Sequence, residues 1–408
     1  MGLVDSRTFL DSLAKCQLLN PTRLAEAQSL VQQPPKALAR ALMEKGWITL
    51  WQAKQLLDGR HTLTLGDYEL LLKVGEGGMG SVYKARHTKT RRLVALKLMA
   101  ENVLKQPGAL PRFHREIRAA AALNHPHIVA AFGAAQVGDL HFLVMEYVEG
   151  RDLRNWLHEF GRLPIDWSCE CISQAAEGLE HAHQQGFVHR DIKPGNLMVA
   201  ANDTSARPLV KILDLGLARL VVEEGDPERI TKTGHVLGTI DYMSPEQVAD
   251  TRMVDIRGDI FSLGCTMFKA LTGQNAFDGR TMPEKVMSRL RSEAPRASRL
   301  RPDVPPELDA VLARMLARDV ENRFQRPSEV VAALQPFLMR APPPSTSKSN
   351  PRVSSPASSP PPGSNSGTTM LGHDDQARIK ALELVVAMLS DRLAELEEIV
   401  KREFASRI

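Results

Sequence analysis

Gly75-Glu76-Gly77-Gly78-Met79-Gly80 lies between the apolar run 70–74 and the strand-like Val82-Tyr83-Lys84-Ala85. Glycines at this spacing let backbone amides approach phosphate oxygens with no side chain in between. A dinucleotide-binding turn opens a helix, whereas a strand follows here, so the pattern favours a loop that covers nucleotide phosphates. Lys97 ends the strand-like Val94-Ala95-Leu96-Lys97, 17 residues beyond Gly80. In an apolar strand that follows a glycine loop it reads as a phosphate ligand, against the plainer reading of a solvent-facing lysine. Glu116, in the helix-like stretch 113–118, is available to hold Lys97 by an ion pair; alone it would be a solvated residue on a helix face. Farther on come His189-Arg190-Asp191-Ile192-Lys193-Pro194-Gly195-Asn196 and, 23 residues after Asp191, Asp214-Leu215-Gly216.

These groups need a scaffold, and from Tyr68 to about Leu338 the sequence alternates short strands with helices. At 408 residues the chain has room for two or three domains. Hydrophobic residues make up 43% and charged residues 25%, which argues against wholesale disorder and against a membrane-embedded chain. A net charge of +4 over this length points to no nucleic-acid partner. Cys169 and Cys171 lack zinc-site spacing, so the four cysteines read as reduced structural thiols of a cytoplasmic protein. Asp5, Arg7 and Asp11 interrupt any signal-peptide pattern, and no segment is apolar enough to be a transmembrane span.

The ordered set of motifs resembles the eukaryotic-type (Hanks-type) serine/threonine protein kinases, of the sort also found in bacteria, over about two thirds of the chain. The resemblance implies an α+β fold of two lobes, a small N-lobe β-sheet with one helix and a larger, mostly helical C-lobe, spanning 66–338. It implies ATP and Mg2+ as cofactors and protein serines and threonines as acceptors. Asp191 matches the carboxylate that accepts the acceptor hydroxyl proton, and Lys193 the lysine that steadies the transferred group. Asn196 and Asp214 match the two magnesium ligands, while Lys97, positioned by Glu116, matches the holder of the α and β phosphates. The loop Gly75, Glu76, Gly77, Gly78, Met79 and Gly80 would cover the phosphates. Adenine would sit between Val82 and Ala95 above and Met198 below, bonded to the hinge backbone at Glu146 and Val148 behind Met145, with Asp152 near the ribose. Glu246 would pair with Arg323, and Asp259 would brace the catalytic loop.

Two positions depart from the family pattern: Leu215 follows Asp214 where phenylalanine is usual, and Ser244 opens Ser244-Pro245-Glu246 where alanine is usual. Both replacements are compatible with packing, so activity is expected to survive them. Arg190 before the catalytic aspartate implies control by activation-loop phosphorylation, with Thr231 and Thr233 as phosphosites. Two rival readings are a pseudokinase scaffold and a kinase acting on a small molecule. Retention of the full residue set weighs against the first. The long threonine-bearing segment ending in Ser-Pro-Glu, with Thr239 before it, weighs against the second.

The flanks read separately. Residues 1–62 form a helical N-terminal module, in which Asn20 and Thr49 are candidate N-caps of a faint duplication at an offset of 29, and Trp47 and Trp51 read as core. Residues 341–370, more than half Pro, Ser and Gly, read as a disordered linker. Residues 374–406 return to helical periodicity in a seven-residue frame with Ile379, Val386, Leu393 and Val400 at a and Leu382, Leu389, Leu396 and Glu403 at d. This is the pattern of a parallel two-stranded coiled coil, and it predicts a homodimer through the C-terminal helix, against the alternative of one helix docking back on the core.

Overall fold

A computed structural model describes residues 5–105, 108–200, 207–214, 240–249, 254–279 and 281–339. The expectations for Leu215, Gly216, Thr231, Thr233 and Thr239, and those for the linker and the C-terminal helix, lie outside the described residues.

Four helices open the chain: α1 (Ser6–Lys15), α2 (Pro21–Ser29), α3 (Pro35–Glu44) and α4 (Leu50–Leu57). Each start has a local cause. Asp5 caps α1 by accepting from the Thr8 amide at 2.7 Å, and Asn20 caps α2 from the Arg23 amide at 2.9 Å, with Pro21 at the first helical position. Thr49 and Gln52 form a reciprocal capping box at α4, each side chain satisfying the other residue's backbone amide. Phe9, Leu13, Leu38, Leu42 and Leu56 bury their apolar faces in a core of their own.

The small lobe is one antiparallel sheet in the order β1-β2-β3-β4-β6-β5. Its strands are β1 (Thr64–Leu65), β2 (Tyr68–Gly77), β3 (Gly80–His87), β4 (Leu93–Met99), β5 (Ala131–Val137) and β6 (Leu140–Glu146). Helices α5 (Glu101–Leu104) and α6 (Ala109–Ala120) lie between β4 and β5 in sequence. One side of the sheet packs Ala95, Leu143 and Met145 against Phe113 and Ile117 of α6. The other packs Leu70, Ala85, Val94, Leu96 and Phe142 together, with Tyr83 and Trp51 at the margin. Register shifts at Leu71 and Val74 make two bulges in β2. Leu71, the extra residue of the first bulge, is buried beside Leu70.

The larger lobe begins with β7 (Gly150–Asp152), α7 (Leu153–Phe160) and α8 (Ile165–Gln184), followed by the hairpin β8 (Leu197–Ala200) and β9 (Leu209–Ile212). Beyond these lie α9 (Pro245–Ala249), α10 (Ile256–Thr272), α11 (Met282–Arg291), α12 (Pro306–Met315) and α13 (Pro327–Leu334). Helices α8 and α10 are buried on nearly every side and form the centre of the lobe's core. All four cysteines are buried and unpaired in disulfides. Burial pushes the thiol of Cys16 up to about 11 and those of Cys169 and Cys265 up to about 12. No helix among the described residues is long and apolar enough to cross a membrane.

Candidate active site

Strands β2 and β3 form a hairpin whose tip is the glycine run, closing with Gly77 opposite Gly80. Gly80 has φ +136°, and a Cβ there would lie 1.8 Å from the Leu98 carbonyl oxygen, so no other residue fits without backbone movement. At Gly75 and Gly77 an added Cβ would meet nothing within 4 Å, leaving room for an approaching ligand. The Met79 carbonyl accepts from the Ala100 amide at 2.9 Å, which folds the tip onto the end of β4.

Lys97 lies in β4 opposite Val82 of β3, and Ala95, two residues earlier, lies opposite Met145 of β6. The period of two therefore sets Val82, Ala95, Lys97 and Met145 on one face, the face the resemblance assigned to the nucleotide. Behind Met145 is a small cavity walled by Leu123, Val129, Ala131 and Leu143 that reaches Asp214. Past β6, Val148 lies in the coil leading to β7, and Asp152 pairs with Met198 across β7 and β8. The Glu146 carboxylate takes Lys211 at 3.0 Å. Asp152 also caps α7, accepting from the Asn155 amide at 2.7 Å, a second task not read from the sequence.

The loop 189–196 converges on Asp191. Lys193 Nζ reaches both Asp191 carboxylate oxygens at 2.9 Å. Asn196 Nδ2 donates to the Asp191 carbonyl at 2.7 Å and to its Oδ2 at 3.0 Å. The loop is held from below by Asp259 on α10, whose two oxygens accept the amides of His189 and Arg190, each at 2.7 Å. Burial pushes the Asp259 carboxyl up, against the pull of His189 and of these two amides. His189 Nε2 lies 2.8 Å from the Leu213 carbonyl oxygen, and the Leu213 amide donates to the Asn196 carbonyl at 2.9 Å. Asp214 is thereby delivered beside the loop. Arg190 and Asp214 have φ +66° and +60°, two of the four non-glycine residues with positive φ among those described, so backbone strain is concentrated here.

One expectation is corrected. Lys97 does not pair with Glu116; its Nζ lies 2.8 Å from Asp214 Oδ2, while Glu116, buried on α6, has Arg115 at 3.4 Å. A lysine only 5% exposed takes the carboxylate that its stem can reach, and in this conformation that carboxylate comes from the larger lobe. Burial alone would raise the Asp214 carboxyl, but Lys97, with smaller help from His189 and Lys193, holds it below the usual carboxylate range. Glu246 and Arg323 do pair, through two parallel hydrogen bonds of 2.8 and 2.9 Å. Gln247 escaped the sequence reading: its Nε2 donates to the Arg190 carbonyl at 2.6 Å, and its position directly after Pro245-Glu246 was the only available signal.

The site thus assembles a glycine hairpin, a buried lysine on its inner face and an aspartate, lysine and asparagine within hydrogen-bond reach of one another. The family model described as the protein kinase domain matches residues 68–335. The chain belongs to the protein kinase family. Its relatives place it on the bacterial serine/threonine branch. It is 39% identical over 271 residues to a serine/threonine-protein kinase PknB of Mycolicibacterium smegmatis, covering 65% of this chain and 42% of that protein. A probable serine/threonine-protein kinase of Streptomyces coelicolor is 36% identical over 67% of this chain and 40% of its own length. The chain therefore spans about two fifths of the curated relatives it matches. Among solved structures, the PknI kinase domain of Mycobacterium tuberculosis superposes with a TM-score of 0.52 at 25% identity, covering 67% of this chain and 97% of that one. The likeness carries the two-lobed kinase fold.

Proposed function

We propose that this kinase transfers the γ-phosphoryl group of ATP to serine or threonine side chains of proteins. The observation that carries the reading is the Asp191 carboxylate gripped by Lys193 and Asn196. In this reading Asp191 orients the acceptor hydroxyl and takes its proton, and Lys193 stabilises the charge on the moving group. Lys97 holds the α and β phosphates under the glycine hairpin. Val82, Ala95 and Met198 clamp the adenine, the Glu146 and Val148 backbone binds its edge, and Asp152 faces the ribose.

The donor set suits Mg2+. Asn196 spends its Nδ2 on Asp191, which leaves its amide oxygen as a donor beside the Asp214 carboxylate, and hard oxygen ligands are what this ion takes. Held there by Asn196 and Asp214, the ion would supply positive charge to offset that of the phosphates. The residues of the chain supply alignment: two strained backbone positions and the Asp259 brace fix the loop before substrate arrives.

The wider reading keeps Thr231 and Thr233 as sites of activating autophosphorylation, supported by Arg190 beside the catalytic aspartate. The domain limits 1–62, 66–338, 341–370 and 374–406, and a homodimer through the last segment, rest on the sequence pattern. A cytoplasmic location is supported by four buried free thiols. The test is phosphate incorporation from labelled ATP and magnesium into the whole chain, compared with Asp191→Asn, followed by mapping of the label. Label on Thr231 or Thr233 that vanishes in the variant supports transfer and switch together; nucleotide binding with no label in either protein refutes transfer by this chain.

A further inference from the structure

The outer face of the glycine hairpin is covered by α4. Thr49 Oγ1 donates to the Leu71 carbonyl at 2.7 Å, and Gln52 Nε2 donates to the Leu70 carbonyl at 2.8 Å and to Glu69 Oε1 at 3.2 Å. Leu71 is the extra residue of the first β2 bulge and has no partner residue in the β3 ladder. Its carbonyl therefore needs a donor from elsewhere, and Thr49 supplies it. Gln52 is fully buried, and its Oε1 accepts the Thr49 amide at 2.7 Å, so one side chain both caps α4 and grips β2. Trp51, between them, meets Tyr83 of β3 edge-on at 5.9 Å. Tyr83 follows Val82 directly, and neighbouring strand residues face opposite ways, so Trp51 presses on the reverse side of the strand whose Val82 faces the nucleotide.

From these contacts we infer that Thr49 and Gln52 are positioning residues for ATP binding, acting through the β2 bulge on the glycine hairpin. The hairpin tip begins four residues beyond Leu71, within roughly 13 Å of extended chain. A one-residue slip at the bulge would move every following side chain to the other face. Clamped by α4, the strand presents the glycines in one register. The small lobe's nucleotide site thus includes an element from outside the 68–335 segment matched by the kinase family. The inference deepens the kinase reading and rests on it for the identity of the ligand.

The experiment uses the full chain with Thr49→Val, Thr49→Ser and Gln52→Ala. It measures KM for ATP, kcat on a protein acceptor, and direct titration with a fluorescent ATP analogue, all below each variant's melting transition. Thr49→Val and Gln52→Ala are expected to raise KM for ATP and the analogue's dissociation constant about three- to tenfold, the worth of one or two neutral hydrogen bonds, with kcat held within about twofold. Thr49→Ser, which keeps the hydroxyl, restores the wild-type value. An unchanged KM, or a fall in kcat at constant KM that tracks lost folded protein, overturns the inference. Should Gln52→Ala fail to fold, the two Thr49 variants decide alone. Absence of transfer by the wild type would defeat the kinase reading instead, and the titration would then judge the clamp by itself.

Discussion

Lys97 Nζ and Asp214 Oδ2 lie 2.8 Å apart, an ion pair that joins β4 of the small lobe to the coil just past β9 in the larger one. Each is a group that the proposed reaction assigns to a different task, and with three donors on Lys97 and two oxygens on Asp214 each has capacity left for it. Lys97→Met removes the cation that holds the Asp214 carboxyl down, and burial then pushes that carboxyl up. Because a depressed carboxylate stabilises the fold above its unfolded value and loses that contribution as pH falls through the depressed one, the variant should melt lower at pH 7 and approach wild type in acid. Phosphoryl transfer should fall by about 10²-fold or more, read as initial rate at saturating ATP.

The glycines of the hairpin should separate by position. Gly80→Ala forces a Cβ into the Leu98 carbonyl at positive φ, and should cost about 2 kcal/mol or more of local stability together with ATP binding. At Gly75 a Cβ meets open space, so Gly75→Ala should leave the melting temperature unchanged and act only on nucleotide affinity. Thermal melts with and without ATP distinguish the two.

Glu180 on α8 offers a pH signature far from the catalytic loop. Burial works to raise its carboxyl, but Arg326, Gln184 and the Ser328 amide overcome this and lower it to about 2 from 4.5. Its contribution is therefore complete above pH 4.5 and is lost as pH falls through about 2. Glu180→Gln should destabilise the protein by on the order of 2 kcal/mol at pH 7. Denaturant melts should find that difference shrinking steadily below pH 4.5.

Two fully buried arginines should respond in opposite directions. Arg323 gives two hydrogen bonds to Glu246 and three more to the carbonyls of Ala317, Arg257 and Arg318, so Arg323→Met strands the half-buried Glu246 and those carbonyls and should cost about 3 kcal/mol. Among the described residues, Arg289 on α11 has no hydrogen-bond partner for any of its three side-chain nitrogens, and the Phe277 ring lies 5.5 Å away. Arg289→Met should raise stability by about 1–2 kcal/mol, measured by the midpoint of chemical unfolding.

Short motifs made the catalytic loop legible: the spacing of Asp191, Lys193 and Asn196 is a property of one turn of chain, and the hydrogen bonds that unite them are local. Val82, Ala95 and Lys97 were legible for a related reason, since a period of two fixes the face each strand residue takes. What escaped depended on distant partners. Asp152 reads equally well as a ribose contact or a helix cap. The partner of Lys97 depends on how α6 and β9 approach β4, which no local pattern encodes. The clamp of Thr49 and Gln52 on β2 was hidden because a capping box already accounts for both side chains, and the bulge that needs them leaves no mark in the alternation of Leu70, Leu71 and Leu72.

With Cys16, Cys169, Cys171 and Cys265 all buried and their thiols pushed far above neutral pH, the protein offers almost no thiolate to an electrophile. A single cysteine introduced at the partly exposed Ser81 would then take a spectroscopic label cleanly against a silent background. The movement of the hairpin tip during a catalytic cycle becomes something that can be watched in the native chain, with none of its own cysteines replaced.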